Sequence, residues 1–230
     1  MGKQAATEMP AAADQGGALG QGPGLAPGRE PVTSSKRDRI LEGMLEAVGS
    51  SGYDGTSVRT VLDLTSLYRQ AFYDNFPDKD ACYLEAFDYG VKRLEALVVE
   101  AAGTQSTWVG KLRAGLAALL DALDSEPDVG RALIVEVHAA GQEALEKRAE
   151  VMKRIAEFID SAREIAGNND SPPPIAPEGI VAGIHAIVHA RLATGAGDGF
   201  RELLPEFMYF AVLPYFGSEM AEAEMQSART

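Results

Sequence analysis

"SLYRQAFYDNFPDKDACY", residues 66–83, is the stretch on which the reading of this chain turns. On a helix, Leu67, Ala71, Phe72 and Phe76 share one side, while Arg69, Gln70, Tyr73 and Asp74 share the other. The first set can pack on neighbouring helices. The second set can only be exposed. The residue before a proline disfavours helical backbone, so Pro77 limits this helix to about Tyr68–Asn75.

The residues upstream supply what such a helix would rest on. Ser35-Lys36-Arg37-Asp38 has the spacing of a capping box. Ile40, Leu41, Met44, Leu45 and Val48 then make one apolar stripe at helical period, and Gly49 and Gly52 supply a stop. A second helix opens at Thr56 or Ser57, either a good N-cap, and runs through Val58, Val61 and Leu62. The turn Leu64–Leu67 joins it to the third. Two short helices with a four-residue turn, braced by a first, have helix-turn-helix geometry. Its second helix fits a DNA major groove, where Arg takes guanine O6 and N7 and Gln takes adenine N6 and N7. A tyrosine hydroxyl can reach a phosphate and fix register. The solvated face of a small bundle shows the same polar stripe, so the stripe alone does not choose between them.

A resemblance does. "TSVRTVLDLTSLYRQAFYDNFPDKDACY" is similar to the DNA-binding domain of the tetracycline-repressor (TetR) family, without a gap from Thr56 to Lys79. Tyr73, Phe76, Pro77 and Lys79 stand where that family's Tyr-x-x-Phe-x-x-Lys signature stands. Gly52, Tyr53, Gly55 and Thr56-Ser57-Val58-Arg59 resemble its opening. The likeness covers about residues 35–85. It implies a homodimer on a palindromic double-stranded operator, released when a small effector enters the C-terminal domain. By resemblance, Arg59 stands at a base- or backbone-contacting position, Arg69 and Gln70 at base-reading ones, and Tyr73 and Asn75 at phosphate-facing ones. Lys79 marks the start of the fourth helix, where the backbone is met by side chain or amide. A DNA-facing arm is expected, if anywhere, around Lys36, Arg37 and Arg39, and Thr56 or Ser57 either holds a phosphate or simply caps. The sequence departs from the family in three places. Ser66 replaces the usual turn glycine, which implies a wider or strained bend. Tyr68 replaces a small polar residue and either blocks or reads a base. Asp74 either repels phosphates unless Arg69 or Arg37 neutralises it, or accepts from cytosine N4.

The rest of the chain reads as helices, so the fold class is all-α: a helix-turn-helix at 34–80 and a helical ligand-binding and dimerisation domain at 81–230, with about nine helices in all. Helices are expected from Asp78 to about Ala101, along Trp108–Leu123, over 129–140, along Val151–Ile165, and over 178–196 and 200–216. There is no internal repeat and no two-residue alternation. Residues 1–33 hold 11 Gly and Pro with few bulky apolar side chains, and read as a flexible tail. The net charge of −13 argues against nucleic acid until it is divided. Residues 34–80 carry 6 basic and 8 acidic groups, and residues 81–230 carry 13 and 23, so most of the excess lies beyond the reading helix. Phosphate attraction is local, although net −2 is acidic for a DNA-binding unit. No apolar run reaches the roughly 18 residues of a membrane span, and no secretory signal is visible. The single cysteine, Cys82, suits a reducing compartment, so a cytoplasmic location is expected.

For a partly apolar effector, the candidate pocket residues are Phe87, Trp108, Leu112, Leu116, Val135, His138, Met152, Ile155 and Phe158, each with core packing as its alternative. His138 reads as an imidazole on an apolar helical face. His185 and His189 have metal-like spacing but no acidic or Cys partner nearby, so no metal and no cofactor is expected. A dimer interface is expected from Ile180, Ile184, Ile187, Val188 and Arg191 on one helix and Phe207, Phe210, Ala211 and Pro214 on the other. The alternative there is that they cover their own core. An enzyme would need a nucleophile with its base, a metal set or a phosphate loop, and the sequence offers none. The competing function is a ligand-binding relative that has lost DNA binding.

Overall fold

The computed structural model describes residues 35–167, 172–195 and 199–229. The expected tail at 1–33 lies outside the described residues, as does part of the 167–174 break. Among the described residues there are ten α-helices and no strand, and the expected all-α chain is what is observed. Two of the ten, Arg69–Tyr73 and Ala162–Ala166, are single turns of five residues.

Each early boundary follows from local chemistry. Helix α1 (Lys36–Ser51) opens on a full capping box, Ser35 with Asp38, and closes at Gly52, whose φ of 78° is open to glycine at little cost. Helix α2 (Val58–Thr65) is capped by Ser57, which accepts from the Thr60 amide. Thr56 is buried instead, donating to the carbonyls of Ala47 and Gly52. Helix α3 is Arg69–Tyr73, and α4 (Lys79–Gly103) starts on an Asp78 cap just past Pro77.

Helices α5 (Trp108–Ser125) and α6 (Pro127–Ile134) follow, and α6 runs into a 3₁₀ turn, Glu136–His138. Then come α7 (Gln142–Asp160), α8 (Ala162–Ala166), α9 (Ala176–Thr194) and, after a second 3₁₀ turn, α10 (Leu204–Ser227). The backbone of α10 kinks at Gly217, three residues after Pro214, and helix then resumes to Ser227, past residue 216 where the sequence pattern ended.

Two apolar clusters form. The first joins Ile40, Met44 and Val48 of α1 with Val61, Phe72, Phe76, Tyr83 and Phe87, and also takes Leu133 and Val137 from α6 and its turn. The second joins Trp108, Leu120 and Leu123 of α5 with Ile159, Ile180, Val188, Phe207, Met208 and Tyr215. Helices α1 and α6 meet backbone to backbone: a Cβ on Gly49 would lie 2.0 Å from the Asp128 carbonyl oxygen. The side chain of Tyr83 adds a hydrogen bond, donating to the Ala132 carbonyl at 2.7 Å.

Candidate nucleic-acid interface

The turn between α2 and α3 is tight. Ser66 takes left-handed backbone, φ 53° and ψ 35°, and its amide and that of Leu67 both donate to the Leu62 carbonyl. This is the glycine-type helix ending carried by a serine, so the departure from the family pattern appears as strain and not as a wider bend. Phe72 and Phe76 are 0 % and 1 % exposed beneath α3, while Arg69, Gln70, Tyr73 and Asp74 face solvent. The helix is therefore fixed from below and free above, as its two-sided sequence requires. Tyr68, at its N-cap, is 86 % exposed.

The outward groups are paired with one another at helical spacing. Arg59 lies 3.7 Å from Asp63, and Gln70 donates to Asp74 at 2.7 Å. The Arg69 guanidinium lies 5.4 Å from the centre of the Tyr73 ring. Asp74 is thus held by Gln70, and neither Arg69 nor Arg37 is its partner. Exposed pairs of this sort are worth about 0–1 kcal/mol, so a nucleic-acid ligand can displace them cheaply.

Five of the expected contacts are placed differently by the structure. Arg37 pairs with Glu85 and lies over the Phe76 ring, so it braces α1 against α4, and Arg39 donates to the Thr65 carbonyl, so neither is a free arm; Lys36 alone stays exposed without such a tie. Lys79 turns inward, donating to the Tyr53 carbonyl at 3.0 Å with its ammonium 4.0 Å above the Tyr53 ring, so its side chain is tied to the protein itself. Asn75 donates to the Ala71 carbonyl at 2.7 Å and closes the end of α3. Thr56 is buried, which leaves Ser57 as the exposed hydroxyl of the two.

Sequence reasoning passed over the residues that hold this unit to the rest of the chain. Tyr53 donates its hydroxyl to Asp80 at 2.6 Å and its amide to Glu136 at 2.9 Å. Glu136 also accepts from Arg131 at 3.0 Å, and Arg131 reaches the carbonyls of Leu192 and Ala193 at the end of α9. The one available signal was an acid two residues before His138 in an otherwise apolar segment.

The expected effector-pocket residues are scattered. Phe87 belongs to the first cluster, away from the others, because α4 turns that face toward α1. Trp108 and Leu112 are buried in the second, with Leu116, Val135 and Met152 half-buried against it. Ile155 and Phe158 are 42 % and 40 % exposed, with Phe158 stacked on Trp108. His138 sits exposed on the 3₁₀ turn and not on an apolar helical face. A cleft of about 1000 Å³ does exist, between α7–α8 and α9, and of the expected residues only Met152 lines it.

The interface candidates divide as well. Val188, Phe207 and Ala211 are buried in their own core, and Ile180 with them. Ile187 and Phe210 are each 45 % exposed, while Ile184, Arg191 and Pro214 are half-buried. Ile187, Phe210 and Met220 are the large apolar side chains that α9 and α10 leave exposed, while the exposed Ala182 and Ala186 line the cleft. Among the described residues no helix is long and apolar enough to cross a membrane, and no group of three metal-ligating side chains is arranged around a metal position.

No protein-family model and no curated protein matches the sequence. Solved structures do. The fatty acid degradation regulator FadR of Bacillus halodurans superposes with a TM-score of 0.68 at 12% identity, over 80% of this chain and 96% of that one. FadR of Bacillus subtilis, solved with stearoyl-CoA, gives 0.64 at 13% identity, over 78% and 98%. A TetR-family transcription regulator of Marinobacter aquaeolei VT8 gives 0.58 at 17% identity, over 84% and 93%. With its helix-turn-helix, its helical body and these likenesses together, the chain has the fold of the TetR-family transcription regulators.

Proposed function

We propose that this protein is a ligand-responsive transcription regulator of the TetR type, a repressor that binds a palindromic operator as a homodimer in the cytoplasm and leaves it when a small effector binds. The observation that carries the reading is α3: Arg69, Gln70 and Tyr73 stand outward on a helix anchored by Phe72 and Phe76. Residues 34–80 are the reading unit, with Arg59, Tyr68 and Lys36 at its edges, and 81–230 the sensing and pairing unit. The exposed Ile187 and Phe210 favour pairing through α9 and α10. Two-fold symmetry then sets the reading helices one DNA turn apart, about 34–36 Å. The B. subtilis neighbour was solved with stearoyl-CoA, and the cleft of about 1000 Å³ beside α7 gives a small molecule room in this chain. An effector that prefers a conformer with other half-site spacing must, by linkage, oppose the operator.

The test is selection of the full-length protein against a randomised duplex pool, followed by gel shift. A palindrome should be enriched, and Arg69→Ala and Tyr73→Phe should each weaken its binding. Unchanged affinity in both variants refutes the assignment of α3. One observation favours the rival, a relative without DNA binding: Asp63 and Asp74 share the outer face with Arg59 and Gln70. Salt separates the two. A DNA binder making 6–10 phosphate contacts loses about 10³–10⁵ in affinity between 50 and 200 mM salt, and the rival shows no binding to lose.

A further inference from the structure

All three histidines of the chain converge on one place. His138 comes from the 3₁₀ turn after α6, and His185 and His189 from successive turns of α9. The rings of His138 and His189 are 5.7 Å apart, and those of His185 and His189 6.2 Å. Arg148 reaches in from α7, with one guanidinium nitrogen 3.4 Å from both ring nitrogens of His185 and so aimed at neither. Its Nε is buried without a hydrogen-bond partner. Its neighbours on α7 are all matched to acids, Lys147 to Asp88, Lys153 to Glu157 and Arg154 to Glu95, whereas Arg148 faces imidazoles.

A buried donor left unpaired costs about 1–3 kcal/mol, so a bound acceptor recovers that energy. A cation does not fit beside a guanidinium. An oxyanion does, because the guanidinium fork and imidazole N–H groups are its usual partners. Arg148 and His185 form one end of the cleft. Its floor continues through Met152, Ala156 and Val181 toward Asp160. From Arg148 to Asp160 the helix rises about 18 Å.

We propose that Arg148 and the His138–His185–His189 cluster bind the oxyanion head, carboxylate or phosphate, of an amphipathic small molecule whose apolar part lies along Met152, Ala156 and Val181. The inference names the effector's class and in that respect rests on the regulator reading, but the site can be tested without DNA. Burial, with Arg148 and the other imidazoles, holds His185 down to about 4, so it is neutral near pH 7. An anion there favours the imidazolium, and binding takes up protons. The other charges along the cleft are Lys153 and Arg163, and the carboxylates Glu157, Asp160, Glu164 and Glu178. Those acids lie further along from Arg148, and Asp160 is already matched to Arg163 at 2.7 Å.

The experiment is calorimetric titration of the full chain with decanoate, decyl phosphate, inorganic phosphate and decanol, in two buffers of different ionisation enthalpy. At least one of the alkyl anions should bind ten-fold or more tighter than decanol, with proton uptake. Whichever of them binds identifies the head group, and binding by inorganic phosphate alone overturns the apolar half of the site. Arg148→Met should lose ten-fold or more for the anion, and Arg148→Lys should recover part of it, each with the wild-type melting temperature as the folding check. Should Arg148→Met unfold, His185→Gln takes its place, with loss of the proton uptake as the readout. Equal binding of decanol, indifference to both substitutions, or no binding by any probe overturns the proposal. Loss of operator binding alone, with anion binding intact, sinks the regulator reading and leaves this site standing.

Discussion

Replacing Glu136 with glutamine tests how the proposed reading unit, residues 34–80, is fastened to the rest of the chain. One oxygen of Glu136 accepts from the Tyr53 amide at 2.9 Å and the other from Arg131 at 3.0 Å, with the side chain 12% exposed. Glutamine keeps one acceptor and turns an NH₂ toward the other donor. Hydrogen bonds to charged groups contribute about 1.5–3 kcal/mol when buried, and Arg131, a third exposed, sits at the low end. Arg131 also keeps its bonds to the Leu192 and Ala193 carbonyls. Glu136→Gln should therefore cost about 2 kcal/mol. For a chain of this size that lowers the melting temperature by roughly 4–8 °C. Amide exchange at Tyr53 should quicken ten-fold or more, since opening is local. In a cycle with Arg131→Met the double variant should lose about 1 kcal/mol less than the sum. A loss under about 0.5 kcal/mol, or strict additivity, refutes the account.

Other perturbations follow from the same geometry. Ser66→Gly should raise the melting temperature and Ser66→Val lower it, since left-handed backbone costs a non-glycine residue about 1–3 kcal/mol; equal melting points would show that the turn carries no strain. Ile187→Glu with Phe210→Glu should turn a sedimenting dimer into a folded monomer, and a dimer that survives both excludes the α9–α10 face. His185, held at about 4 in the fold against 6.5 otherwise, binds its proton more readily when unfolded. Its stabilising effect is complete above pH 6.5, declines as pH falls and is gone below about 4. His185→Gln should flatten that limb of the stability profile, and an unchanged limb contradicts the burial argument.

What the sequence made legible was local. Ser35 with Asp38, Ser57, Gly52 and Pro77 act on backbone within a turn of themselves, so α1 to α4 could be drawn from residue types alone. The two faces of α3 were readable because its polar and apolar residues alternate around the helix. Helices α9 and α10 carry apolar residues on every side, so nothing in the pattern told the buried Val188, Phe207 and Ala211 from the exposed Ile187 and Phe210. Long-range bonds left no periodic trace: Glu136 meets Tyr53 across 83 positions. Lys79 sat in a recognisable signature, yet its direction depended on Tyr53, and Arg37 likewise answered to Glu85 and Phe76.

The missing side chain at Gly49 limits what this protein can do mechanically. With no cushion of atoms between α1 and α6, the two helices have no room to slip past each other. On the proposed regulator reading, a signal from residues 81–230 must tilt α6 and α1 together, and compliance has to reside in the joints around that pair. A methyl group at Gly49 would thus distort that contact itself, while touching neither the proposed DNA-facing helix nor the cleft.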